Sequence, residues 1–125
     1  STGAAKAIGK VMPHLKGKLN GQAIRVPTPN VSLVDLTVTL NKSVTAAEVI
    51  EEFKNASTGK LKGILGVDEE YRVSSDFNGE TLSTVVPLDT IQVIGGNMVK
   101  ILSWYDNEWG YSTRLVEMGI HVASK

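Results

Sequence analysis

From Val34 to Leu40 the chain alternates strictly: Val34, Leu36, Val38 and Leu40 are apolar, and Asp35, Thr37 and Thr39 between them are polar. A period of two marks a half-buried strand, because successive side chains leave a strand on opposite faces. Pro27 and Pro29 break any ladder before Asn30, so residues 22–40 read as a kinked or edge segment leading into one long strand. Short strand candidates follow at 64–67, 72–76 and 82–86. Residues 91–94 and 98–105 flank Gly95, Gly96 and Asn97, which read as a hairpin turn.

Three helical patterns frame these strands. Residues 1–15 carry Ala4, Ala5, Ile8, Val11, Met12 and Leu15 at helical spacing, with Ser1 or Thr2 as cap, until Pro13 and Gly17 end the pattern. Residues 45–57 open with a capping box, Thr45 and Glu48, and carry a stripe of Val49, Ile50, Phe53 and Ala56. Gly59 stands where a left-handed cap would. Residues 111–123 read as a closing helix with Leu115, Met118, Gly119 and Val122 on one face. Consecutive strands between helices predict an α+β fold, a largely antiparallel or mixed sheet with helices packed on one face. No Gly-x-Gly-x-x-Gly opens a strand–helix unit, so a dinucleotide-binding domain is not expected within this chain.

Composition narrows the classes of function. The 125 residues suit one domain, and 42% hydrophobic against 21% charged residues can build a core. Thirteen cations balance thirteen acids, which argues against a dedicated nucleic-acid surface. No run of about 18 apolar residues is present, so no membrane-spanning helix is expected. With no cysteine there is neither a disulfide framework nor a thiolate metal site. His14 and His121 stand in no metal-ligand spacing, and no triad or poised carboxylate pair can be argued. The chain opens directly on a helix-start pattern and reads as a fragment.

Three places could bind a ligand. Thr2 and Gly3, at a helix start, combine a hydroxyl with free backbone N–H groups, a natural anion site; the plainer reading is that Thr2 caps its own helix. Arg25 precedes Val26 and Pro27 and suits bidentate phosphate binding, or a solvated surface role. Asn107, within Tyr105–Asp106–Asn107–Glu108, can donate and accept at once, as recognition of a carboxamide requires. The plainer reading there is that Asp106 or Asn107 caps the last helix and that both tryptophans are core.

Taken together, STGAAKA at 1–7, RVPTPNVSLVDL at 25–36, SSDFNG at 74–79 and SWYDNEWGYS at 103–112 resemble the glyceraldehyde-3-phosphate dehydrogenase family over essentially the whole chain. The resemblance implies part of a C-terminal catalytic domain (residues 1–125), with the nucleotide-binding domain outside the chain. It implies an enzyme that oxidises and phosphorylates glyceraldehyde 3-phosphate to 1,3-bisphosphoglycerate, using inorganic phosphate and reducing NAD or NADP. Thr2 and Gly3 match the family's phosphate-binding pair and Arg25 its substrate-phosphate arginine. Asn107 matches its nicotinamide-carboxamide asparagine, and Tyr111 a tyrosine near the nicotinamide. The family's cysteine nucleophile and histidine base have no counterpart here, so no catalytic residue is expected and the isolated chain should be inactive. A cytoplasmic homotetramer, completed by the remainder of the enzyme, is the implied assembly. The alternative is a non-catalytic assembly or interaction module derived from the same family.

Overall fold

The computed structural model describes residues 3–125, residues 5 and 6 by their backbone only. The chain folds as α1 (Ala4–Val11), β1 (Ser32–Thr39), α2 (Ala46–Thr58), β2 (Leu65–Asp68), β3 (Thr84–Pro87), β4 (Gln92–Ile94), β5 (Met98–Tyr105) and α3 (Trp109–Ala123). The helix predicted over 1–15 is shorter than its apolar pattern. Proline lacks an amide N–H and clashes with the carbonyl four residues earlier, so Pro13 opens a separate 3-10 turn, Pro13–Leu15. The expected cap at Ser1 or Thr2 lies outside the described residues.

β5 is the spine of a five-stranded mixed sheet ordered β1-β5-β3-β2, with β4 folded back on β5 as a hairpin. β1 pairs antiparallel with β5 along its whole length, from Ser32 opposite Tyr105 to Thr39 opposite Met98. The β4–β5 turn needs positive φ, supplied by Gly95 at 60° and Gly96 at 82°. β2 and β3 run parallel, which makes the sheet mixed and the fold α+β as expected.

α2 starts as its sequence dictates. The Glu48 N–H donates to Thr45 Oγ1 at 3.2 Å, and the Thr45 N–H donates to Glu48 Oε2 at 2.7 Å. Its stripe of Val49, Ile50, Phe53 and Ala56 packs on a cluster of Leu65, Val86, Leu88 and Ile91, joined by Ile101 of β5. A second cluster, Val31, Phe77 and Val85 with Leu82 and Trp104, closes the end of the sheet where β5 runs into α3.

Several expectations are corrected. Residues 72–76 form no strand; a 3-10 turn spans Ser74–Phe77, because the Asp76 carboxylate takes the Val73 N–H at 2.8 Å and holds the chain in a local loop. Gly59 is not left-handed, with φ −106° and ψ −112°. Its glycine is required by proximity instead, since a Cβ there would lie 2.9 Å from the Asn55 carbonyl. The predicted face of α3 finds no neighbour: Leu115, Met118 and Val122 are all about 60% exposed or more, at 59%, 60% and 66%. Trp109 is exposed, so only Trp104 of the two tryptophans joins the core. The alternation of β1 likewise does not bury it, for Val34 and Leu36 stand 43% and 36% exposed. A sheet edge and a helix thus carry apolar surface that nothing among the described residues covers.

Candidate functional site

β5 ends at Tyr105 and the chain enters α3 within three residues. Asp106, nearly fully buried, makes that turn possible. Its Oδ1 accepts the N–H groups of Glu108 at 3.1 Å and Trp109 at 3.0 Å, donors that the start of a helix leaves unpaired. Its Oδ2 accepts Asn30 Nδ2 and the Gly79 N–H, both at 2.9 Å. The Trp109 and Gly79 N–H groups together hold its carboxyl below the ordinary carboxylate value, against the opposing effect of burial. Of the two caps expected here, Asp106 or Asn107, it is Asp106 that takes the N–H groups. Its links to Asn30 and Gly79 were not legible, because they join segments far apart in sequence.

Between Asn30 and β1 stands Val31, buried at 4% exposure and held at φ 65°. A β-branched residue resists that region, at a cost of about 1–3 kcal/mol. The surroundings hold it there: Asn30 is bonded to Asp106, Ser32 Oγ donates to Asn107 Oδ1 at 3.4 Å, and the valine side chain packs with Phe77 and Val85. Phe77 in turn stacks on Trp104 with ring centroids 6.0 Å apart, and the Arg72 guanidinium lies 4.8 Å from the Phe77 centroid. Arg72 Nε donates to the buried Asp68 at 2.6 Å.

Above this platform opens a cleft of about 350 Å³ lined by Ser83, Tyr105, Asp106, Asn107, Gly110, Tyr111 and Arg114. Gly110 lets α3 pass close to the sheet, since a Cβ there would sit 3.2 Å from the Leu82 carbonyl. Asn107 is exposed to the cleft, with its Oδ1 near Ser32 and its amide nitrogen without a protein partner among the described residues. Arg114 spends its two terminal nitrogens on the Gly63 carbonyl and Glu117, both at 2.8 Å, while its Nε is buried without an acceptor. The Asn107 amide beside the Tyr105 and Tyr111 side chains offers hydrogen-bonding groups to a ligand entering this cleft.

The structure brings Asn107 and Tyr111 to this one cleft and leaves Gly3 and Arg25 off its lining. Arg25 is exposed on the segment that precedes Asn30, with no carboxylate partner among the described residues. Gly3 is the exposed N-cap residue of α1, and Thr2 lies outside the described residues. His14 and His121 are exposed on separate elements, and among the described residues no group of three or more His, Cys, Asp or Glu side chains could hold a metal ion. No helix among the described residues is long and apolar enough to cross a membrane.

Known proteins are similar to this chain along its length. The family model "Glyceraldehyde 3-phosphate dehydrogenase, C-terminal domain" matches residues 1–107. A glyceraldehyde-3-phosphate dehydrogenase 1 of Bacillus cereus is 59% identical over 125 residues, and its Bacillus subtilis counterpart 57%. A cytosolic glyceraldehyde-3-phosphate dehydrogenase of Pinus sylvestris is 54% identical over 124 residues. These alignments cover 99–100% of this chain but only 36–37% of each relative's length. The chain therefore belongs to the glyceraldehyde-3-phosphate dehydrogenase family, and it matches the C-terminal part of these relatives.

Proposed function

We propose that residues 1–125 form part of the catalytic domain of a phosphorylating glyceraldehyde-3-phosphate dehydrogenase, acting in glycolysis in the cytoplasm, whose nucleotide-binding domain lies outside the chain. The observation that carries this reading is Asn107, which lines the cleft between β5 and α3 with its amide nitrogen unpartnered among the described residues. Asn107 would hold the carboxamide of NAD or NADP, with the Tyr111 ring beside it. The dinucleotide, when bound, supplies the hydride acceptor.

Arg25 would take a phosphate of glyceraldehyde 3-phosphate or inorganic phosphate through its planar fork of donors. Thr2 and the backbone N–H groups near Gly3 would take a phosphate at the start of α1. These residues bind and orient; bringing reactants together in the right geometry is itself a large part of catalysis. The nucleophile and general base would come from the remainder of the enzyme, since the chain holds no cysteine. The exposed apolar faces of β1 and α3 would be covered by that remainder and by neighbouring subunits of a homotetramer. The same faces would equally serve a non-catalytic assembly module. In the full-length enzyme, Arg25→Ala is expected to lower kcat/KM for glyceraldehyde 3-phosphate about ten- to a hundredfold, the loss of one charge-assisted contact. An unchanged kcat/KM would remove Arg25 from the site, and a full-length protein without turnover would favour the module.

A further inference from the structure

We propose that Asp106 is a positioning residue whose two carboxylate oxygens clasp the Asn107 loop and the Arg25 segment into one fixed geometry. The inference rests on the roles proposed above for Asn107 and Arg25 and adds what holds them in register. The two oxygens divide the work. Oδ1 takes the Glu108 and Trp109 N–H groups and so fixes the loop that presents Asn107. Oδ2 takes Asn30, 76 positions away, and the Gly79 N–H, 27 positions away. A helix cap needs only the first pair.

Four converging donors call for a side chain that only accepts, and an ionised carboxylate is one; an amide would turn an N–H2 group towards two of them. Its depressed proton affinity keeps Asp106 ionised at neutral pH. From Asn30 the geometry passes to Arg25 through a short segment stiffened by Pro27 and Pro29, whose rings fix φ. A second tie runs in parallel from Ser32 Oγ to Asn107 Oδ1. Val31, between the two tied residues, is held at φ 65°, a conformation that a β-branched residue resists.

The test uses the full-length enzyme and two variants. Asn30→Ala removes one bond to Oδ2 and leaves the α3 cap intact. It is expected to raise KM for glyceraldehyde 3-phosphate about tenfold, with KM for the dinucleotide within about twofold of wild type. Asp106→Asn disturbs both halves of the clasp and is expected to raise both KM values about tenfold. A role confined to capping α3 predicts a silent Asn30→Ala, and an Asp106→Asn enzyme with a smaller active fraction but unaltered KM values; that pattern overturns the proposal. Wild-type enzyme without dehydrogenase activity would instead sink the functional reading. Amide hydrogen exchange tests the clasp independently of turnover: exchange across residues 25–31 should quicken in both variants, and unchanged protection there overturns it.

Discussion

Phe77→Ala is expected to destabilise the isolated chain by about 3–5 kcal/mol, the usual cost of emptying a buried aromatic site. Phe77 is 1% exposed and is the largest side chain in a cluster with only two other buried members, Val31 and Val85. Its ring also stacks on Trp104 and carries the Arg72 guanidinium, contacts worth about 0.5–1.5 kcal/mol each beyond the buried area. Losing it removes the wall that keeps Val31 at positive φ, so the loss should spread to the Asn30 and Asp106 links. Typical domains are stable by only about 5–15 kcal/mol, and this one leaves much apolar surface bare, so the variant should be largely unfolded in buffer. Urea unfolding followed by circular dichroism reads the effect. A loss below about 1 kcal/mol would show that the cavity collapses freely and that the second cluster is not a unit.

Arg72→Met should cost about 3 kcal/mol at pH 7, because it strands the Asp68 carboxylate at 1% exposure. The figure sits at the low end of the range for broken buried pairs, since Arg72 itself keeps about a third of its surface. The sign of the pH dependence follows from Asp68. Burial alone would raise its proton affinity, but the Arg72 side chain and the Arg72 and Glu70 N–H groups outweigh that and lower it. A lowered folded value means that the wild-type contribution is complete above the ordinary value of 3.8 and is lost as pH falls below it. Asp106, also lowered, acts in the same direction. Without the Arg72 side chain, burial is opposed only by the N–H groups of residue 72 and Glu70, and the Asp68 carboxyl takes up its proton more readily than in wild type. The gap between variant and wild type should therefore be widest at pH 7 and narrow as pH falls towards 4. Parallel urea titrations at the two pH values check this; a gap independent of pH would mean that Asp68 draws little from Arg72.

Local chemistry made some of this fold readable in advance. The capping box at Thr45 and Glu48, the Gly95–Gly96 turn and the hairpin that follows depend on neighbouring residues, and they form as their sequences imply. Pattern misled where burial depends on distant partners. The alternation of β1 and the stripe of Leu115, Met118 and Val122 on α3 are real patterns, yet both faces lie open within the chain. Gly59 and the 72–76 segment misled for another reason: proximity to the Asn55 carbonyl and a local bond from Val73 to Asp76 outweighed propensity. At the site, Asn107 could be singled out by its amide and its neighbours. The clasp around Asp106 could not, since Asn30, Gly79 and Trp109 meet only once the sheet has formed.

The central claim is that this chain supplies binding residues to an enzyme completed by other residues. The most direct measurement substitutes it for the matching segment of a full-length relative and assays the chimera beside the isolated chain. The assay follows NAD- or NADP-dependent oxidation of glyceraldehyde 3-phosphate in the presence of phosphate, with the molar mass determined on the same sample. The account predicts a tetrameric chimera with turnover within about tenfold of the relative, a barrier change no larger than about 1.4 kcal/mol, and an isolated chain that does not turn over at all. A folded, tetrameric chimera without activity, or turnover by the isolated chain, would contradict it.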